Sequence, residues 1–186
     1  MSDAPSYLDL LNRISVGESQ AECLLDCWAS ATPNPAVQKI LTTIALREGE
    51  HGKAFAKRIC ELGYSVTPTD TGDSAGRMAI AASRDLTDRE KFEKLGVTSF
   101  FASDAPDVFA PMWADTSIDI QTGGLLGRYI AEERDSLRML EGCYNELCAA
   151  ENGSSTVDQG LTASLGRIEQ LLEQLVAKSG KKKAKK

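Results

Sequence analysis

Apolar residues at helical spacing are the feature that most limits the folds open to this chain. One seam begins at Tyr7 and recurs at alternating steps of four and three through Trp28, with Glu18 as its single charged member. A Thr-Pro-Asn-Pro turn at residues 32–35 follows, and its second proline suits the first turn of another helix, which we predict to reach Leu62. Such a short connection makes the two helices antiparallel neighbours. The spacing therefore predicts an all-α protein.

The rest of the chain is also helical in character. Residues 64–76 are rich in Thr, Asp, Ser, Gly and Pro, which indicates a loop long enough, when extended, to cross a bundle from end to end. We predict a third helix over residues 78–95, followed by shorter pieces, and a fourth over residues 119–150. A turn at residues 152–155 leads to a last amphipathic helix over residues 157–177. The prediction is a four-helix bundle with a long crossover and an additional C-terminal helix.

Charge is distributed unevenly along the 186 residues. The net charge is −6 at pH 7, yet the stretch from Lys178 to Lys186 carries six lysines, so the remainder is more acidic than the total suggests. We predict one helical domain over residues 1–178 and a disordered basic tail over residues 179–186, because the tail has little apolar surface to bury. An acidic domain attracts cations and repels nucleic acid, so we expect no nucleic-acid partner.

The cysteines and the N-terminus bear on the cellular location. The five cysteines form no C-x-x-C pair, which argues against a thiolate zinc site or a rubredoxin-type iron site. Their odd number and helical placement favour reduced thiols. The N-terminus lacks the basic and apolar regions of a signal peptide, and no apolar stretch approaches the roughly 18 residues of a membrane helix. We therefore expect a cytoplasmic protein without a membrane partner.

Helix two and helix four of the prediction share a pattern. A shift of 85 residues places apolar residues of one on apolar residues of the other and maps Glu48 onto Glu133. The same shift maps His51, the only histidine of the chain, onto Ser136. Glu18, Glu48, His51 and Glu133 all fall on apolar seams, so we expect them to point into the bundle.

Buried acids need a partner. An ionised carboxylate inside a protein must be protonated, paired or bound to a metal ion, because its burial alone is strongly unfavourable. Carboxylates together with an imidazole suit iron or manganese and support oxygen or peroxide chemistry. We therefore predict that Glu18, Glu48, His51 and Glu133 ligate two metal ions, iron first and manganese as the alternative.

Further ligands would have to come from the third helix. Glu90 and Glu93 lie three residues apart and therefore on one side of it, although they could equally form a solvated charged face. Asp115 and Asp119 are the fallback. Three other glutamates beside the seams are interpreted as outer neighbours of the site or as exposed residues: Glu22, Glu50 and Glu132.

Two segments carry a resemblance to a known family. Gly17-Glu18-Ser19-Gln20-Ala21, followed by Glu48-Gly49-Glu50-His51-Gly52-Lys53, resembles the first half-site of rubrerythrins in the ferritin-like superfamily. The resemblance implies a ferritin-like four-helix bundle with a di-iron centre, and often a homodimer. It implies Glu18, Glu48, His51 and Glu133 as ligands, and it relates Glu90 and Glu93 to the Glu-x-x-Glu pair of the family's third helix. The chain departs from the family at Ser136, where rubrerythrins carry a second histidine.

Three functional hypotheses follow. The first is an oxidoreductase-type protein, a peroxidase or a ferroxidase, that reacts with peroxide or dioxygen. Because the chain lacks a rubredoxin domain, an external electron-donor protein would supply the reductant. The second is a non-catalytic helical scaffold with a degenerate or vacant metal site, in which Arg47 or Arg134 reaches the buried acids. The third is iron storage in an assembled shell.

Overall fold

The structure is a computed structural model that describes residues 4–69, 72–101 and 109–183, with side chains described except at 110, 113 and 152–183. Within these residues the protein is all-α, as the sequence predicts, with five α-helices, two short 3₁₀ turns and no strand. The chain divides into two compact units, Met1–Tyr144 and Asn145–Lys186. The predicted boundary at residue 178 stays a prediction, and residues 184–186 of the predicted tail lie outside the described residues. All five cysteines are free thiols.

The first two helices form an antiparallel pair. Helix α1 spans Leu8–Ala31 and α2 spans Pro35–Glu61, close to the predicted bounds. The side chain of Asn34 caps α2 by accepting a hydrogen bond from the Ala36 amide at 3.0 Å. Past the other end of α2, Gly63 takes a φ of 87°, the left-handed conformation that glycine adopts easily after a helix.

The predicted third helix is wrong in one respect, because two short helices take its place. Helix α3 spans Ser74–Ala82 and α4 spans Asp88–Lys94. A capping box begins α4: the Thr87 side chain accepts from the Glu90 amide, and the Glu90 carboxylate accepts from the Thr87 amide. This local arrangement starts a new helix and separates α4 from α3.

Buried polar contacts hold α4 against the C-terminal end of α1. Asp88 accepts hydrogen bonds from Trp28 Nε1 at 2.7 Å and from Thr32 Oγ1 at 2.6 Å. Lys91, which is 1% exposed, donates from Nζ to the carbonyl oxygen of Ala81 at 3.0 Å. The ammonium group of Lys91 therefore ties α4 to α3.

The chain crosses the length of the bundle after α4. The loop that follows α2, where the sequence predicts the crossover, is held beside the start of α1, since the Asn12 side chain bonds Thr67 at 2.8 and 3.0 Å. Phe92 of α4 packs on Trp28 near the other end of α1. Asp115 then accepts a hydrogen bond from Ser6, before α1 begins. Asp115 and Phe92 therefore lie near opposite ends of α1, and the described residues between α4 and α5 form 3₁₀ turns at Val97–Phe100 and Ala110–Trp113.

Helix α5 spans Ile120–Lys183. Asp119 caps it by accepting from the Thr122 amide at 3.0 Å, and also pairs with Arg58 of α2 at 2.9 Å. The predicted turn at residues 152–155 is wrong, because the structure assigns these residues to α5. They contain no proline, and their single glycine costs a helix only about 1 kcal/mol.

The core of the first unit lies where α1, α2 and α5 meet. Its fully buried members include Leu11, Phe55 and Leu126, one from each helix. Among the described residues, no helix has the length and apolar character needed to cross a membrane.

Candidate metal centre

Three helices bring buried acids together around the only histidine of the chain. Helix α1 supplies Glu18, α2 supplies Glu48 and His51 one turn apart, and α5 supplies Glu133. Glu18, Glu48 and His51 are each at most 9% exposed, and the Glu133 side chain is 16% exposed. The structure therefore places these four residues, which the sequence predicts as ligands, in one cluster.

The donor atoms of the cluster converge. One donor atom from each of the four side chains lies within 4.8 Å of the others. His51 Nδ1 is 3.2 Å from Glu133 Oε1 and 3.9 Å from Glu18 Oε2. The distance from His51 Nδ1 to Glu48 Oε2 is 4.0 Å.

Three of these converging atoms are buried without a hydrogen bond to any described residue: Glu18 Oε2, His51 Nδ1 and Glu133 Oε1. The 3.2 Å contact between His51 Nδ1 and Glu133 Oε1 is an ion pair when the imidazole is protonated. A buried polar atom without a partner is strongly unfavourable, and native proteins contain few of them. Together with Glu48, these residues form a group that could hold a metal ion.

The other nitrogen of His51 fixes the ring. His51 Nε2 lies 2.7 Å from Glu132 Oε2, and Arg128 Nε donates to the other oxygen of Glu132 at 3.0 Å. This contact turns Nδ1 toward the acids. A carboxylate on the far nitrogen is the usual way in which a metal-binding histidine is oriented. The sequence marks Glu132 only as a neighbour of the seam, since its role depends on how α5 aligns with α2.

Tyr129 orients one of the acids. Its hydroxyl donates to Glu18 Oε1 at 2.8 Å, and its ring meets the His51 ring edge to face, with 5.1 Å between centroids. Glu18 therefore has one oxygen held by the protein and the other directed at the cluster.

The proton affinities of the cluster are strongly perturbed. Burial raises the pKa of Glu48, and the neighbouring carboxylates of Glu18 and Glu133 raise it further. Burial lowers the pKa of His51, but its interactions with Glu133 and Glu18 outweigh that effect and raise it to about 10. Burial also raises the pKa of Glu133. Without another cation, the cluster therefore holds protons near neutral pH.

The donor set fits a first-row transition metal. Ligands about 2.0–2.2 Å from one ion lie about 3–4.4 Å from each other, and the three distances from His51 Nδ1 fall in that range. Carboxylates and an imidazole match iron and manganese better than the thiolate-rich sites that favour zinc. Four protein ligands leave coordination positions for water or a small reactant.

The other predicted ligands lie elsewhere. Glu90 is engaged in the cap of α4, and the exposed Glu93 pairs with Arg89 at 3.0 Å. Asp115 and Asp119, the fallback pair, bond residues at the starts of α1 and α5. These four acids are not part of the cluster. Glu90 and Glu93 lie on α4, which packs at Trp28 near the C-terminal end of α1 rather than beside Glu18.

Arg47 does not join the buried acids, although the scaffold hypothesis predicts that it could. Its Nη1 donates to Asp135 Oδ2 at 2.8 Å and to Ser136 Oγ at 3.3 Å. Arg134, the other candidate, lies over the ring of Phe109 at 5.8 Å.

A small pocket opens beside the cluster. It lies between α2 and α5, has a volume of about 40 Å³, and is lined by residues that include His51, Tyr129 and Arg128. Such a volume holds only a few water-sized molecules.

No protein-family model, curated protein or solved structure gives a significant match to this chain. The resemblance to rubrerythrins therefore stays a prediction, as do the metals that it implies.

Proposed function

We propose that the protein is a metalloprotein whose cluster of Glu18, Glu48, His51 and Glu133 binds a redox-active transition metal, iron first and manganese as the alternative. The observation that supports this most directly is the convergence of three buried donor atoms that have no hydrogen-bond partner among the described residues. A cation at their centre would satisfy all three and neutralise the acids.

The proposed activity is the reduction of peroxide or dioxygen, or the oxidation of ferrous iron, with electrons from an external donor protein. When bound, the metal supplies one-electron chemistry toward the oxidant. The protein holds the donor atoms, excludes bulk water and keeps Nδ1 of His51 directed inward through Glu132. The pocket of about 40 Å³ beside His51 has room for a small oxidant.

Metal binding by the full chain tests the proposal. The protein is stripped with a chelator and titrated with Fe(II), and separately with Mn(II), under anaerobic conditions by calorimetry and elemental analysis. We expect Glu48→Gln and His51→Ala to weaken binding at least tenfold. Glu50→Gln is the matched control, because the Glu50 side chain lies on the same helix and is 70% exposed. A wild-type protein that retains neither metal would overturn the proposal.

The oxidant is tested on the loaded protein. Anaerobic Fe(II) protein is mixed with hydrogen peroxide or with dioxygen, and the near-ultraviolet absorbance of ferric carboxylate is followed. We expect oxidation of bound iron well above the rate of free Fe(II), and a return to the ferrous form when reductant is added. Iron that binds but reacts no faster than free Fe(II) would contradict the oxidoreductase activity and leave only a metal site.

A metal-free scaffold is the second candidate. It is favoured by the raised pKa values of Glu48 and His51, since protons held there reduce the charge of the cluster without any metal. It predicts that Glu48→Gln and His51→Ala leave metal content and partner binding unchanged. The homodimer and the cytoplasmic location stay predictions.

A further inference from the structure

The two helices that supply Glu48 and Glu133 share one pattern, and the pattern is broken at one position. The shift of 85 residues that maps Glu48 onto Glu133 maps His51 onto Ser136. Both positions are buried, at 4% and 2% exposure. Helical bundles that hold two ions take a Glu-x-x-His pair from each of two helices. Here only α2 supplies one.

A positive charge is held beside Ser136. Arg47 Nη1 donates to Ser136 Oγ at 3.3 Å and to Asp135 Oδ2 at 2.8 Å, and lies 3.8 Å from Met139 Sδ. A guanidinium stays protonated in proteins. On α5, the residue one turn after Glu133 is Ser136, and the Arg47 guanidinium is held against it. On α2, the residue one turn after Glu48 is His51.

The cluster offers a single imidazole nitrogen, and two of its polar atoms already have partners in the protein. Glu18 Oε1 already accepts from Tyr129, and His51 Nε2 is engaged with Glu132. One donor atom from each of the four residues lies within 4.8 Å of the others. The ions of a two-metal site lie about 3.5–4 Å apart, and in helical bundles each takes the histidine of one Glu-x-x-His pair. The chain has no second histidine to complete such a set.

We propose that the centre is mononuclear: each chain binds one ion, and the Arg47 guanidinium, held by Asp135 and Ser136, disfavours a second ion beside Ser136. This inference rests on the proposed function and replaces the two ions that the sequence predicts. A fixed guanidinium repels a further divalent cation on that side of the cluster. The same contact orients Ser136 toward Arg47, so that its hydroxyl is engaged outside the cluster.

The experiment counts ions in designed variants of the full chain. Stripped protein is titrated anaerobically with Mn(II), and the bound ions per chain are measured by calorimetry and elemental analysis. We expect one ion for the wild type and for Ser136→His alone, because Arg47 still repels a second. The double variant Arg47→Gln/Ser136→His should bind two ions, since it removes the charge and restores an imidazole.

Arg138 offers a matched control. It pairs with the same Asp135 at 3.1 Å, but its side chain is 70% exposed. The double variant Arg138→Gln/Ser136→His should therefore stay at one ion. If it gains a second ion as readily as the Arg47 variant does, the role given to Arg47 is overturned.

A measurement on the wild type alone keeps the proposal falsifiable if the double variants do not fold. Electron paramagnetic resonance of the Mn(II) protein should show the six-line signal of an isolated ion at full loading. Two ions per wild-type chain, or the signal of a magnetically coupled pair, would overturn the mononuclear centre. Wild-type chains that bind no ion would instead overturn the proposed function, so the two failures are distinguishable.

Discussion

The two ring nitrogens of His51 face different carboxylates. Nε2 is held by Glu132 at 2.7 Å, whereas Nδ1 faces Glu18, Glu48 and Glu133. A neutral imidazole can use Nδ1 to ligate a metal, and a protonated one can serve as the cation of the cluster. The same residue therefore allows the site to exist in a metal-free and a metal-bound form.

The metal-free form predicts an unusual titration. Burial lowers the pKa of His51, but the carboxylates around it raise it to about 10, against about 6.5 in an unfolded chain. Protonation of His51 therefore adds to the free energy of unfolding. This contribution is complete below about pH 6.5 and is lost as the pH rises toward 10. Because the chain has one histidine, NMR of the imidazole protons in stripped protein reports it directly. Glu133→Gln should lower this pKa, and a wild-type value near 6.5 would contradict the proposed electrostatics.

Glu132 should set metal affinity without ligating. We expect Glu132→Gln to weaken metal binding about 10–100-fold, the usual effect of removing a carboxylate that orients a histidine ligand. Titration of stripped protein with Fe(II) measures the affinity. Glu50→Gln is the control, because Glu50 also pairs with Arg128 but makes no contact with Nε2. Equal metal affinities for the two variants would show that Glu132 does not contribute to metal binding.

At the scale of elements, the close approach of α1 and α2 determines where Glu18 meets Glu48. Ser15 Oγ donates to the carbonyl oxygen of Gly52 at 3.0 Å. A Cβ atom at Gly52 would lie 2.6 Å from Ser19 Oγ and 3.2 Å from backbone atoms of Ser15 and Ser19. The Ser19 side chain can rotate away, but the α1 backbone cannot. Gly52 is therefore needed at this crossing.

A pair of alanine variants isolates that contact. Gly52→Ala and Gly17→Ala both gain up to about 1 kcal/mol of helix propensity, but a Cβ at Gly17 meets no atom within 4 Å. Overpacking typically costs about 1–3 kcal/mol, so Gly52→Ala should be less stable than Gly17→Ala by about that amount. Denaturant unfolding of the two variants gives the difference in the free energy of unfolding. Equal stabilities would show that the helices separate freely.

The first two helices could be predicted closely, whereas the middle of the chain could not. The seam from Tyr7 to Trp28 and the proline turn are strong local signals, and α1 and α2 follow them. The break between α3 and α4 depends on a capping box at Thr87 and on burial of Asp88 under Trp28. That burial is a tertiary contact, which helical spacing does not reveal.

The same distinction applies to the candidate site. A charged residue on an apolar seam is visible in the sequence, so Glu18, Glu48, His51 and Glu133 could be found there. Whether Glu132 reaches His51 depends on how α5 aligns with α2, and periodicity leaves that alignment open. The prediction for Glu90 and Glu93 depends on a third helix over residues 78–95, where the structure has the separate helices α3 and α4.

For the whole first unit, a metal ion would join helices that are far apart in sequence, since α1, α2 and α5 each supply a ligand. A ligand at 100 times its dissociation constant stabilises the folded state by about 2.7 kcal/mol. For a chain of this size, that corresponds to a rise in Tm of about 5–11 °C. Thermal unfolding followed by circular dichroism, with and without Fe(II) or Mn(II), measures the shift. His51→Ala should show little shift, and a wild type that shows none would argue against a metal that spans the three helices.

The metal-free protein should be less stable because of the acids that bind the ion. Burial and the nearby carboxylates raise the pKa of Glu48 above its unfolded value. Glu48 therefore destabilises the folded state at neutral pH, whereas below the unfolded pKa of about 4.3 it is protonated in both states and the effect disappears. Glu48→Gln replaces it with a neutral group of the same shape.

We therefore expect Glu48→Gln to raise the Tm of stripped protein at pH 7, by about 2–4 °C for each kcal/mol gained, and to abolish the rise caused by metal. Near pH 3 the metal-free wild type and variant should converge, because the carboxyl group is then almost entirely neutral in both states. Glu50→Gln, on the exposed side of α2, should change neither quantity. A lower Tm for metal-free Glu48→Gln at pH 7, or a difference that persists in acid, would mean that the cluster is a stabilising polar core. In that case the raised pKa of Glu48 could not be attributed to a site that requires a metal ion.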